Sequence, residues 1–113
     1  MKFDDKKVRY SISLLPEYED IRGHMATGDD EFDRECENRI ITDLESGNDW
    51  AWCVVKVTAQ YNGIRGVTGT DYLGCCSYAD EKDFRECGYY ADMCDNACRE
   101  LYEKLADIVA ELV

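Results

Sequence analysis

The chain has 113 residues, 45% of them apolar, and a single proline, which is the profile of one domain able to bury a core without cross-links and without long disordered tails. Its 25 acids against 13 bases leave a net charge of −12, which disfavours nucleic acid and anionic membranes as direct partners and favours a protein with a basic surface. No run approaches the roughly 20 apolar residues of a membrane span. The opening MKFDDKKVRY lacks the apolar core of a signal peptide, so a cytoplasmic location is expected.

In residues 7–15, KVRYSISLL, Val8, Tyr10, Ile12 and Leu14 share one face while Arg9, Ser11 and Ser13 share the other, which predicts a half-buried strand. Pro16 ends it and opens an irregular connection of about a dozen residues. Residues 29–46 predict a helix, with Phe32, Cys36, Ile40 and Leu44 recurring every four residues and Ile41 beside them. Acids crowd its first turn, where the helix dipole favours them. Thr27 or Asp29 suits the N-cap, and Gly47 suits the left-handed position just past the end.

Residues 50–61, WAWCVVKVTAQY, give the strongest strand pattern, followed by Asn62-Gly63, the dipeptide of a type I′ turn, and a second strand over residues 64–76. A two-residue turn would set Tyr61 against Ile64, Cys53 against Tyr72 and Trp52 against Leu73. Trp50, Trp52, Val54 and Leu73 would then share one sheet face, together with Val67, Lys56 and Asp71. Gly66, Gly69 and Gly74 leave room for a bulge, which would change that assignment. Ser77 opens a capped short helix through DEKDFREC, and Gly88 ends it. The last helix, residues 89–113, carries the stripe Tyr90, Cys94, Cys98 (or Ala97), Leu101, Leu105, Ile108 and Leu112. The predicted fold is α+β, in the order β-α-β-β-α-α, with helices packed on one face of a three-stranded, mainly antiparallel sheet.

Five of the seven cysteines fall within residues 72–98. An odd count without a signal peptide argues against a disulfide framework. A zinc site could draw on Cys87, Cys94, Cys98 and one of Cys75 or Cys76, yet no C-x-x-C pair is present. A catalytic thiol needs a base, and the one histidine, His24, lies in the irregular connection amid acidic surroundings that would raise a thiol's pKa. Free cysteine packs as a small buried hydrophobe, and Cys36, Cys53, Cys94 and Cys98 occupy predicted core positions. The expectation is reduced core thiols, with no metal and no cofactor.

Phosphate-loop, Rossmann and HExxH patterns are absent, and Asp80, Glu81 and Asp83 lack EF-hand spacing. No active-site constellation can be assembled, so an enzyme is not expected. The densest acidic stretch is residues 29–49, in which Asp29, Asp30, Glu31, Asp33 and Glu37 are the leading candidates for partner binding. Carboxylates three or four apart on a helix lie about 5–6 Å from each other and roughly imitate a nucleic-acid backbone. A charged outer helix face is more often merely solvated; the overall acid excess is harder to assign to solvation alone. The alternative surface is aromatic: Trp50, Trp52 and Leu73 on one sheet face, driving self-association into a homodimer, against the ordinary reading that these side chains are core.

The pattern GDDEFD…I…L-SGNDWAWC-VKV-A followed by DYLGCCSYADEKDF…GYYADM, over residues 28–93, resembles small acidic proteins encoded by tailed phages and other mobile elements. That group includes anti-CRISPR and anti-restriction inhibitors, some of which imitate DNA. The resemblance implies a setting in a host-cell cytoplasm and a partner among basic, nucleic-acid-binding host defence proteins such as a CRISPR effector. For the self-association alternative, it implies a phage structural or accessory protein.

Overall fold

In the computed structural model, which describes residues 2–112, the alternating first segment forms β1 (Val8–Leu15) and pairs antiparallel with β2 (Cys53–Tyr61), Val8 opposite Tyr61 and Leu14 opposite Val55. β2 pairs antiparallel in turn with β3 (Thr68–Cys76), giving the sheet order β1-β2-β3. The helices are α1 (Asp30–Glu45), α2 (Glu81–Glu86) and α3 (Tyr89–Leu112). This is the expected α+β class in the expected order; Val113, at the end of the last predicted helix, lies outside the described residues. No helix among the described residues is long and apolar enough to cross a membrane.

The core lies between α3 and one face of the sheet. Val55, Val57 and Ala59 are fully buried, and Met93, Ala97, Leu101 and Leu105 meet them from α3 at four-residue spacing. The buried stripe thus runs through Met93 and Ala97, while Cys94 and Cys98 flank it half-buried. Ile108 and Leu112, read as part of the stripe, are exposed.

The β2–β3 connection differs from the expected tight hairpin. A turn does close at Ile64 N–H to the Tyr61 carbonyl (3.0 Å), but of its two central residues only Gly63 has a positive φ, whereas type I′ requires both. The chain turns again at Gly66, also at positive φ, and rejoins the sheet at Thr68. Val55 therefore faces Leu73, Val57 faces Asp71 and Ala59 faces Gly69. The offset from the expected register is odd, so every β3 side chain changes face. Leu73 goes to the helix side and Tyr72 to the open side, beside Lys56. A bulge at Gly74 and Cys75 lets Cys76 pair with Cys53, and Cys75 there adopts φ 54°.

Residues 50–52 are not strand. Asn48 accepts from Trp50 N–H and starts a 3₁₀ turn, Asp49–Ala51, that breaks the alternation before β2. Trp50 turns into an aromatic cluster with Tyr78 and Phe84, ring centroids 6.4 and 5.6 Å away. Trp52 is buried and donates its indole N–H to the Glu19 carbonyl (2.9 Å), with His24 against its ring.

α1 does not join α3 on the sheet; it packs mainly on the 3₁₀ turn at Asp49–Ala51. The molecule measures 62 × 25 × 22 Å with a radius of gyration of 17.8 Å, against about 13–14 Å for a compact chain of this length. Residues 16–52 form a lobe that leaves the sheet after Leu15 and returns at Cys53, at the end opposite the β2–β3 turn.

Candidate interaction surface: the acidic lobe

The lobe is built by its own carboxylates. Asp29 caps α1, accepting from Phe32 N–H at 3.1 Å. Asp33 accepts from both the amide and the hydroxyl of Thr27, at 3.1 and 2.7 Å. Glu37 accepts from Gly23 N–H at 2.9 Å and lies 3.5 Å from the Arg22 guanidinium, which also donates to Asn38 (2.7 Å). Asp33 and Glu37 are each only 7% exposed, and with Ile40 they form the inward side of the helix. An inward side carrying two carboxylates does not suit the apolar sheet face, and it finds its donors in the backbone and side chains of the irregular connection.

The five predicted acidic residues therefore divide. Asp30 and Glu31 are exposed and free of structural duty among the described hydrogen bonds. Asp29 is exposed but spent on capping. Asp33 and Glu37 are withdrawn from the surface, which corrects their expected place on an outer acidic face. Glu35, Asp43 and Glu45 are exposed on the same helix. Phe32, expected in the core stripe, is 52% exposed. The sequence held a clue to this rotation: Asp33, Glu37, Ile40 and Leu44 repeat at helical spacing as regularly as Phe32, Cys36 and Ile40.

The predicted aromatic face is not assembled. Trp50 and Leu73 both pack against the core on the helix side, and Trp52 is buried against Glu19 and His24, so the three form no common exposed patch. The self-association reading loses the patch on which it rested.

Residues 16–49 hold twelve acids against three arginines, a net −9 of the chain's −12. The remaining 79 residues are close to balance, at thirteen acids against ten bases. The charge is thus concentrated on the projecting lobe rather than spread over the molecule.

The cysteines are all free, and they differ in setting. Burial, then the neighbouring Cys76, pushes the Cys53 thiol up to about 12. A hydrogen bond to Glu17 pushes Cys75 up to about 11, and burial raises Cys76 and Cys94. Glu17 in turn sits below its ordinary value, because Cys75 donates to it from both thiol and backbone. Raised thiol pKa values work against nucleophilic chemistry near neutral pH. Among the described residues, no group of three or more His, Cys, Asp or Glu is arranged to hold a metal ion.

Comparison with protein-family models, with curated proteins and with solved structures gives no match.

Proposed function

We propose that the protein is a non-enzymatic binder that uses the acidic lobe to occupy a basic, nucleic-acid-binding surface of a host protein, in the bacterial cytoplasm. The observation that carries this reading is the net −9 on residues 16–49, which leave the sheet after β1 and return at β2, with Glu17 alone of their acids bonded back to β3 among the described hydrogen bonds. α1 spans roughly 24 Å at 1.5 Å per residue. Along it Asp30, Glu31, Glu35, Asp43 and Glu45 present carboxylates to solvent. A row of fixed negative charge of this kind competes for the lysines and arginines that otherwise neutralise phosphates. The resemblance to phage and mobile-element proteins supplies the setting, and with it the partner class: a defence protein that grips nucleic acid, a CRISPR effector among them.

The test is a tagged capture from lysates of bacteria carrying different defence systems, washed at low and then high salt and read by mass spectrometry. A nucleic-acid-binding protein retained at low salt and released at high salt supports the proposal. The triple variant Asp30→Lys, Glu31→Lys, Glu35→Lys spares the capping and buried carboxylates and should weaken that capture by about tenfold or more. Absence of any nucleic-acid-binding protein, or equal capture by the variant, overturns it.

A further inference from the structure

The two edges of the sheet differ. On β3 the outward backbone groups are taken by side chains. Lys104 donates to the Thr68 carbonyl, the Asp71 carboxylate accepts from Tyr72 N–H, and Glu17 accepts from Cys75 N–H. The bulge at Gly74 and Cys75 interrupts that edge further. Such devices keep an edge strand from pairing with another chain. β1 has none of them over residues 9–15. Asn62 donates to the Lys7 carbonyl, so by the antiparallel alternation the odd-numbered residues of β1 bond to β2. The N–H and C=O of Tyr10, Ile12 and Leu14 therefore point outward. β2 is the only sheet neighbour of β1, and no described hydrogen bond engages those outward groups. α3 lies over β2 and β3, so the helix-side row of β1 is covered only in part: Tyr10 is 37% exposed, and Ile12 and Leu14 are half-buried.

We infer that β1 pairs antiparallel with β1 of a second copy across a two-fold axis at Ile12, joining two three-stranded sheets into one of six strands. The strand matches itself in that register. Pro16 has no N–H to give, which limits pairing to residues 9–15, and Ile12 is their centre. Tyr10 then faces the partner's Leu14 and Ile12 the partner's Ile12, with about six backbone hydrogen bonds exchanged between the outward groups. On the open side Ser11 faces the partner's Ser13 and Arg9 the partner's Leu15. Apolar meets apolar, hydroxyl meets hydroxyl, and no like charges are opposed. Longer-range charge favours the same pairing. Residues 2–9 hold Lys2, Lys6, Lys7 and Arg9 against Asp4 and Asp5, a net +2 in a chain of net −12. Antiparallel pairing sets this basic start of each chain at the strand end from which the other chain's lobe, of net −9, departs. The two lobes stay at opposite ends of an eight-residue strand, about 27 Å apart and well beyond the screening length of about 8 Å at physiological salt. Backbone pairing alone would accept any strand; the side-chain match and the basic start are supplied by a second copy. The inference does not depend on the proposed function, whose carboxylates lie on α1 and not on this edge.

The experiment is sedimentation equilibrium of the full chain from about 10 μM to about 1 mM at physiological salt, with amide exchange read by NMR at both ends of that range. The expected mass rises from 13.0 kDa towards twice that value. Over the same range the amides of Tyr10, Ile12 and Leu14 should slow by about tenfold or more, while that of Thr70 on the β3 edge stays unchanged. Ser11→Glu with Ser13→Glu, at two exposed positions, sets like charges directly opposite each other across the axis and should weaken association by about tenfold. Ser11→Lys with Ser13→Glu sets opposite charges at the same places and should restore it. A mass of 13.0 kDa at every concentration overturns the inference. So does a dimer that leaves those three amides unprotected, or one in which the two double variants associate equally.

Discussion

Gly69 shows how one residue sets the distance between layers. A Cβ there would lie 1.9 Å from the Ala97 carbonyl oxygen and 2.5 Å from the Leu101 nitrogen, both backbone atoms of α3 that cannot step aside. Gly69→Ala should therefore cost about 3 kcal/mol in urea unfolding. Gly74→Ala, whose Cβ meets only the Glu17 carboxylate at 3.2 Å, should cost under about 1 kcal/mol. Equal losses would mean that the helix does not approach the sheet so closely. Of the three glycines that left room for a bulge, Gly66, Gly69 and Gly74, the bulge sits at Gly74 with Cys75, while Gly69 is there for contact. The thiols give a second residue-scale prediction. Exposed Cys87 should be alkylated first near pH 8, while buried Cys53 and Cys76 should be last, as mass spectrometry of a time course will show. Early labelling of Cys53 would contradict its burial. Because the Cys53 thiol is raised from 9.0 to about 12 on folding, its contribution to stability is fully present below pH 9 and is lost as pH rises towards 12. The urea midpoint should fall over that window, and by less in Cys53→Ala.

At the scale of elements, α1 is where local pattern and tertiary use part company. Its ends were legible: Asp29 caps it, and Gly47 follows it at φ 98°. Its inward face was not, because the donors that bury Asp33 and Glu37 belong to Thr27, Gly23 and Arg22, in a connection with no periodicity to read. If those carboxylates hold the lobe together, Asp33→Ala should free the Thr27 amide and Glu37→Ala the Gly23 amide. Each loses hydrogen bonds to a charged acceptor worth about 1.5–3 kcal/mol. Amide exchange should accelerate tenfold or more at the freed positions and stay unchanged in α3. Unaltered exchange at Thr27 in Asp33→Ala would mean that the connection is fixed by other contacts, such as the Trp52 indole on Glu19. The β2–β3 hairpin misled for a related reason. Asn62-Gly63 does make a turn, but pairing resumes only at Thr68, in the register that sets Gly69 under α3 and Leu73 in the core. Helix packing, invisible to a local reading, chose the register over the turn dipeptide.

At the scale of the molecule, shape and charge have one origin. A helix whose inward side carries carboxylates does not suit the apolar sheet face, so it stands off it, and the acids that exclude it from the core gather at one end. The total of −12 was plain from composition; its concentration on residues 16–49 gained meaning only once those residues were seen to project together. That arrangement carries a cost which salt should reveal. Twelve carboxylates within one lobe, offset by three arginines, repel one another over distances of about 30 Å at 0.01 M salt but only about 8 Å at 0.15 M. Self-repulsion destabilises a compact unit, and screening relieves it. The lobe also has few apolar contacts to lose on opening: Ile40 alone is a buried apolar side chain of α1, whereas α3 buries Met93, Ala97, Leu101 and Leu105. Local opening should thus release α1 well before the sheet and α3 unfold. Hydrogen exchange followed at 0.01 M and 0.15 M salt tests both steps together. Amides of α1 should exchange about a hundredfold faster than those of β2 and α3 at low salt, a difference near 3 kcal/mol in opening free energy. Added salt should then slow α1 several-fold while leaving β2 and α3 nearly unchanged. Equal protection across all three elements would show a lobe cooperative with the body; uniform salt sensitivity would show that the repulsion is spread over the whole chain and not held in the lobe.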